Sequence, residues 1–380
     1  MILISLVITI TYLILIGSFV FGIDKIAVFK LEDIPSKTRF SIVIPFRNEA
    51  ENLPDLLKSI DTLNYPKHLF EIIFVDDESE DNSVEIIQKV LDTSRLHQDT
   101  RTDISIISNK RKTNSPKKDA ITSAIKKAKY DWIITTDADC QLPIFWLDSF
   151  DEYIQKNNAV CIAAPVAYHN DNSFLNQFQI LDLLSLQGAT IGGFGINKPF
   201  LCNGANFAYK KSIFIEVNGF EDNTNIGSGD DIFLLEKISK KQPKYVHYLK
   251  CEQVIIKTQP QPNWANLVSQ RVRWAAKTST YNNWFGKLTG LVVLLMNTLI
   301  VIGLVLSIIS VLNFKILLYI LVIKFNIDFF LIYKSASFFN QKNILKNYIF
   351  GFLIYPFFSV YIAFISSFSG YKWKGRDFKK

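Results

Sequence analysis

Two aspartates one residue apart, Asp137 and Asp139, close the run I-I-T-T-D-A-D-C at residues 133–140. The apolar, β-branched part of that run reads as a buried strand. Two carboxylates at its end suit a hard cation such as Mg2+ or Mn2+, which takes a few carboxylates together with phosphate oxygens. A lone D-x-D recurs by chance; a place at the end of a buried strand strengthens it. Two other apolar runs end in the same way: Phe40–Ile44 leads into Pro45-Phe46-Arg47-Asn48-Glu49, and Phe70–Val75 into Asp76-Asp77-Glu78-Ser79. One such end could be an ordinary helix cap, where Asp and Ser are common. Three converging on one sheet edge point to a site. The chain has no Walker A loop, no G-x-G-x-x-G after its first strand, no G-x-S-x-G, and no histidine placed to serve a nucleophile. ATPase and dinucleotide oxidoreductase chemistry therefore drop out, leaving metal plus carboxylates.

The elements that must position these residues alternate from about residue 38. Helical spacing over Glu49–Ile60, Ser83–Leu91 and Lys118–Ala128 is interleaved with strands at Ile104–Ile107 and Asp131–Thr136. This pattern predicts an α/β domain with a largely parallel sheet, in which ligands bind outside the carboxyl ends of the strands.

The flanks have another composition. Of 380 residues 49% are hydrophobic, and the apolar excess sits in residues 1–22 and again from about 288. Residues 1–22 carry no charge and are long enough, at about 1.5 Å per residue, to span a hydrocarbon core of about 30 Å. With no basic leader and no A-x-A cleavage pattern, they read as a retained anchor. Lys25 and Lys30 follow, which places the N-terminus outside and the next domain in the cytosol. Leu288–Leu312 is a second clear span. Ile316–Tyr333 is interrupted by Lys324, Asn326 and Asp328, and Tyr348–Phe368 contains Pro356. Three spans after a cytosolic domain would put the basic tail Tyr371–Lys380 outside, against the same rule, so a re-entrant or interfacial segment among the last two stays open. The net charge of +7 comes from scattered lysines without an aromatic-interleaved basic stripe. It fits an anionic leaflet or ligand, and nucleic acid is not expected as a partner. Cys140, Cys161, Cys202 and Cys251 form no C-x-x-C pair, so they read as reduced thiols rather than a zinc site.

Residues 38–280 resemble the catalytic domain of a family 2 glycosyltransferase of GT-A fold, a Rossmann-like nucleotide-diphospho-sugar transferase domain here flanked by transmembrane helices. The resemblance rests on an ordered set of motifs. S-I-V-I-P-F-R-N-E is similar to the opening strand and nucleotide-contacting loop, implying roles for Pro45, Arg47 and Glu49. V-D-D-E-S-E-D-N-S resembles the family's V-D-D-x-S-x-D and implies Asp76 and Asp77 near a uridine. Lys117-x-x-Ala120-Ile121 resembles K-x-x-A-L, making Lys117 a donor-side candidate. T-D-A-D corresponds to the metal-binding D-x-D, with Asp137 toward the nucleotide and metal and Asp139 on the metal. Asn203-Gly204-Ala205-Asn206 resembles the turn lining the donor sugar and acceptor pocket. Gly229-Asp230-Asp231 resembles the acidic pair whose second member is the general base, where many relatives have Glu-Asp.

Gln270-Arg271-Val272-Arg273-Trp274 matches the Q-x-x-R-W of the membrane-bound branch, and Lys372–Arg376 looks like the tail of several membrane relatives. The resemblance implies Arg273 as a cation for the departing diphosphate and Gln270 as a donor-side contact. Trp274 reads equally as a stacking wall for sugar or lipid and as part of an amphipathic helix, Trp264–Lys277. Asp230 reads as a member of the acidic pair or as a cap of helix Ile232–Ser239, and Gly192-Gly193-Phe194-Gly195 as an acceptor loop or a turn.

The expected organisation is an anchor at 1–22, a catalytic domain at 38–280, a membrane region at 288–368 and a basic tail at 369–380. The expected activity is inverting, metal-dependent transfer of a sugar from a nucleotide-sugar, UDP-linked, to a lipid or glycan acceptor. The setting is a multi-pass protein of a bacterial inner membrane with its catalytic domain in the cytosol. The rival readings are a processive polysaccharide synthase, a nucleotidyltransferase, which would want a G-x-G-T-R-type first loop, and a membrane sensor that has lost the chemistry.

Overall fold

Apolar runs rich in β-branched and aromatic residues supply the centre of a seven-stranded sheet, because strands covered by helices on both faces must be apolar on both. The computed structural model describes residues 2–94, 102–276, 282–368, 370–373 and 376–378. In chain order the elements are α1 (Ile2–Lys25), β1 (Phe40–Phe46), α2 (Leu53–Asp61), β2 (Phe70–Asp76), α3 (Ser83–Ser94), β3 (Asp103–Ser108), α4 (Pro116–Lys127) and β4 (Trp132–Thr135). They continue with β5 (Cys140–Gln141), α5 (Trp146–Lys156), β6 (Cys161–Ala163), β7 (Val166–Tyr168), α6 (Phe174–Gly195), β8 (Phe207–Lys210), α7 (Lys211–Glu216) and α8 (Asp230–Lys241). The last are β9 (Val246–Tyr248), β10 (Ile256–Thr258), α9 (Trp264–Ala276), α10 (Trp284–Ile308), α11 (Phe314–Phe338), α12 (Tyr348–Phe368), β11 (Tyr371–Trp373) and β12 (Arg376–Phe378).

These elements form two units. The first comprises Ala27–His169 and Cys202–Gln259. Its sheet has the order β3-β2-β1-β4-β8-β6-β9. The β3-β2-β1-β4 half is parallel, as the alternating pattern predicts. β8 runs antiparallel to both β4 and β6, which makes the sheet mixed. The core packs Phe40, Ile42, Ile44, Phe70, Ile72 and Phe74 against Leu53, Leu56, Trp146 and Phe150. Helix α2 begins at Leu53 rather than Glu49. The Glu49 carbonyl accepts from both Asn52 and Leu53 N–H groups at 2.9 Å, a turn that delays the helix until Pro54 lies in its first turn. Two buried acids of α5 strap the segment entering β1. Glu152 accepts from the Glu32 and Asp33 amides at 2.9 and 2.8 Å, and Asp151 from Thr38 at 2.9 Å.

The second unit comprises Met1–Ile26, Asn170–Leu201 and Pro260–Lys380. Four of its stretches are long and apolar enough to cross a membrane: Ile2–Lys25, Trp284–Ile308, Phe314–Phe338 and Lys342–Phe368. Helix α11 runs unbroken through Lys324 and Asp328, which pair one turn apart, and the Tyr12 hydroxyl donates to Asp328 Oδ1 at 2.6 Å. The buried Lys324 ammonium also lies 5.4 and 5.3 Å from the ring centres of Tyr12 and Phe352. Lys324 and Asp328, two of the polar residues that interrupt this span in sequence, are thus partnered inside the helices.

Gly192-Gly193-Phe194-Gly195 is neither a loop nor an isolated turn: it is the end of α6. A Cβ on Gly195 would stand 1.9 Å from the Gly22 carbonyl oxygen, and one on Gly22 2.2 Å from that of Gly192. Helices α1 and α6 cross with their backbones touching, which only small residues permit. Within the tail motif, Lys374 and Gly375 lie outside the described residues, as do Lys277, Lys379 and Lys380.

Candidate active site

Strands β1, β2 and β4 end at one edge of the sheet. Phe46 pairs opposite Asp76 and Val43 opposite Thr135. The Asp77 amide donates to the Phe46 carbonyl at 2.9 Å, carrying the ladder one residue into the polar loops. Parallel register therefore brings three of the polar clusters to the place where open α/β sheets bind ligands.

The first two loops interlock. Arg47 donates to the Asp77 carbonyl at 2.9 Å and to that of Glu78, and pairs with Glu80 at 2.6 Å. Asn48, in the left-handed region at φ 51°, accepts from the Glu80 amide at 2.8 Å, and Glu49 accepts from Asn52 Nδ2 at 2.7 Å. Pro45 lies within β1 opposite Val75. Asp76 Oδ1 accepts from the Ser79 amide at 3.0 Å. Asp77 is buried; its Oδ1 accepts from Asn109 Nδ2 at 2.7 Å and from Arg111 Nε at 2.8 Å. Sequence reasoning missed Asn109 and Arg111. The available signal was the polar run N-K-R-K that follows the third strand, a fourth strand end of the same kind.

Lys117, in the first turn of α4, links the D-x-D to the acidic pair. Its Nζ lies 2.6 Å from Asp137 Oδ1 and 3.3 Å from Asp230 Oδ2. Burial by itself would depress the ammonium pKa; the charges of Asp137, Asp230 and Asp231 outweigh it and raise the pKa above the usual lysine value. Lys117 is thus a fixed cation.

The acidic pair opens α8 after Gly229, whose φ of 84° favours glycine. Asp230 is not the cap of α8: it is the first residue of the helix, buried, and paired with Lys117. Asp231 is half-exposed, and its Oδ2 accepts from the Gly204 amide at 2.9 Å. Asn203 Oδ1 accepts from the Ala205 amide at 3.0 Å, shaping the turn that presents Gly204.

Asp139 is half-exposed, with the Cys140 thiol 3.7 Å from its Oδ1. Burial, then the charges of Asp139 and Asp137, push that thiol well above the ordinary cysteine range, so Cys140 is held protonated. Among the described residues no three His, Cys, Asp or Glu side chains are grouped to enclose a cation. Two aspartates, one already paired with Lys117, fit a Mg2+ or Mn2+ that arrives with phosphate oxygens, not one caged by protein alone. Buried atoms without a hydrogen-bond partner flank the same residues: Arg47 Nε, Asn109 Oδ1, and the hydroxyls of Ser115, Thr136 and Ser228. Such atoms are costly inside a protein and are consistent with a polar ligand.

Gln270, Arg273 and Trp274 lie on α9, in the second unit. There Arg271, an unspecified position of the motif, organises its neighbours. Its Nε donates to Asp182 at 2.7 Å, both side chains being buried, and it also donates to Gln270. Its guanidinium stands 4.2 Å from the Trp274 ring centre.

The model of the glycosyl transferase family 2 domain matches residues 41–217. The chain is similar to a poly-beta-1,6-N-acetyl-D-glucosamine synthase of Staphylococcus aureus (strain COL), with 28% identity over 239 residues, 60% of this chain and 52% of that protein. The protein of the same description from Staphylococcus epidermidis is 26% identical over 248 residues, 62% of this chain and 53% of that one. The chain spans about half the length of the curated relatives it matches. Among solved structures it resembles a mannosyltransferase from Pyrobaculum calidifontis in complex with GDP-Man and Mn2+, at 15% identity and a TM-score of 0.57, covering 97% of this chain and 99% of that one. That likeness is one of fold, and the fold is GT-A.

Proposed function

We propose that this chain, whose residues 41–217 match the glycosyl transferase family 2 model, is a membrane-anchored, inverting glycosyltransferase of that family. It moves a sugar from a nucleotide-sugar donor, read as UDP-linked, to a lipid or polysaccharide acceptor at the cytosolic face of a bacterial inner membrane. One observation carries the reading: Lys117 joins Asp137 of the D-x-D to Asp230 of the acidic pair. The charges expected at a donor diphosphate and the acids expected at an acceptor hydroxyl therefore share one sheet edge. The relatives named for polysaccharide synthesis and mannosyl transfer support sugar transfer, and the four long apolar helices support the membrane setting.

In this reading Asp231, half-exposed and oriented by the Gly204 amide, takes the proton of the acceptor hydroxyl. That oxygen bonds to the donor's anomeric carbon as the carbon's bond to the diphosphate oxygen breaks, and the diphosphate leaves with the electron pair. A single displacement of this kind inverts the anomeric centre. Asp139, with Asp137, would hold a Mg2+ or Mn2+, whose charge when bound offsets that of the diphosphate. Lys117 contributes a preorganised positive charge at the same edge. Pro45, Arg47, Glu49, Asp76, Asp77 and the Asn203-Gly204 turn are read as the donor wall, with Arg111 added through Asp77. The roles proposed for Gln270, Arg273 and Trp274 rest on the motif alone.

A second reading, a processive polysaccharide synthase, is favoured by the similarity to the staphylococcal synthases. One experiment separates the two. Purified protein in lipid nanodiscs is given Mn2+, a panel of nucleotide-sugars and membrane-lipid extracts; nucleoside diphosphate release and product mass are followed. A single sugar increment on a lipid supports single transfer, and a ladder supports the synthase. Donor binding without turnover in any combination would overturn both.

A further inference from the structure

Lys117 reaches the carboxylates; the next residue sends its ammonium elsewhere. Lys118 is 1% exposed. Its Nζ donates to the carbonyls of Asn223 at 2.7 Å and Ile226 at 3.0 Å, and stands 4.7 Å from the ring centre of Phe233. Burying an ammonium is costly unless its donors are met, and the first turn of a helix is the end least favourable to a cation. The carbonyls and the ring offset both costs.

Their location gives the contact its meaning. Asn223 and Ile226 lie in the segment between α7 and α8, which bends at Asp222 (φ 70°) and Gly229 (φ 84°) and runs straight into Asp230-Asp231. Phe233 is in the first turns of α8 itself. Lys118 therefore grips the chain on both sides of the acidic pair, while Lys117 pairs with Asp230 from the same turn of α4.

We propose that Lys118 is a positioning residue for sugar transfer: its buried ammonium fixes segment 223–226 and the head of α8, and through them the direction in which Asp231 presents its carboxylate. This rests on the reading of Asp231 as the base. Lys118→Met keeps the apolar stem and removes the donors, whereas Lys118→Arg keeps a cation.

The 380-residue chain in nanodiscs, with Mn2+ and the nucleotide-sugar of the panel above that supports turnover, serves for the test. Lys118→Met should lower kcat by about 10²-fold, the cost of a misplaced catalytic group, while donor KM and Kd stay within about 2-fold. Lys118→Arg should recover part of that loss. Hydrogen exchange gives a readout free of activity: amides of 220–229 should exchange faster in Lys118→Met, and those of β1 and β2 at the wild-type rate. If Lys118→Met does not fold, Phe233→Leu, which removes the ring face, should speed exchange in the same segment. Unchanged exchange in 220–229 would overturn the grip, and faster exchange with wild-type kcat would overturn the positioning role. A wild-type protein that transfers no sugar would sink the functional reading instead, and exchange would still decide the grip.

Discussion

The backbone amide of Gly204 donates to Asp231 Oδ2 at 2.9 Å, tying the turn after Asn203 to the first turn of α8. A methyl group on Gly204 would stand 3.0 Å from Asp230 Oδ2 and 3.4 Å from Asp231 Cβ, so Gly204→Ala must displace the acidic pair by a few tenths of an ångström. Asp231→Asn keeps the shape and removes the proposed base. It should lower kcat by about 10²–10⁴-fold with donor binding retained by calorimetry, and Gly204→Ala should lower kcat less. Near-normal turnover in Asp231→Asn would remove that residue from the base role.

Asp139 and Asp137 should differ on substitution. Lys117 stands 2.6 Å from Asp137, so Asp137→Asn disturbs an ion pair as well as the proposed metal ligand. Asp139→Asn should abolish the increment in donor affinity that Mn2+ produces in the wild type. Calorimetry with a nucleoside diphosphate, with and without Mn2+, measures it. An increment equal to the wild-type value would count against metal binding at Asp139.

The Lys324–Asp328 pair predicts a stability effect in the membrane unit. Removing one partner strands a buried charge, which costs about 3–5 kcal/mol. Lys324→Met or Asp328→Asn alone should each lower the melting temperature in detergent. The double variant Lys324→Met/Asp328→Asn should recover much of the loss, and simply additive losses would show that the two residues are uncoupled.

A pH effect follows from Asp148, in the first turn of α5. Burial, with the charges of Asp151 and Glu152, raises its pKa to about 6, against about 3.9 for an unfolded aspartate. The folded pKa is the higher one, so its stabilising contribution is present below about pH 4 and is lost as pH rises through 6. Asp148→Asn should gain stability relative to the wild type as pH is taken from 4.5 to 7.5. A melting-temperature difference constant across that range would contradict it.

Much of the edge where these residues meet was legible in the chain itself. Phe40–Ile44, Phe70–Val75 and Asp131–Thr136 announce strands because apolar and β-branched residues there are local, contiguous and followed by polar ends. Parallel strands linked through helices can then converge only at their carboxyl ends. The start of α2, by contrast, lies four residues beyond the one the apolar spacing suggests, because the chain turns at Glu49–Asn52 before the helix begins. The glycines at 192, 193 and 195 read as a loop or a turn for a related reason. Nothing adjacent to them in sequence shows that Gly22, some 170 residues earlier, will press against Gly192 and Gly195.

By itself, then, the sequence determined the alternation of strands and helices, the polar strand ends and the apolar flanks, since each depends on residues close together in the chain. Tertiary structure decided which charges meet. Lys117 reaches both Asp137 and Asp230, Arg111 reaches Asp77, and Lys118 closes on Asn223 and Ile226. These pairs are joined through strand order and loop path. A charge on a surface and a charge in an ion pair have the same letter, and only the fold sets the distance between them.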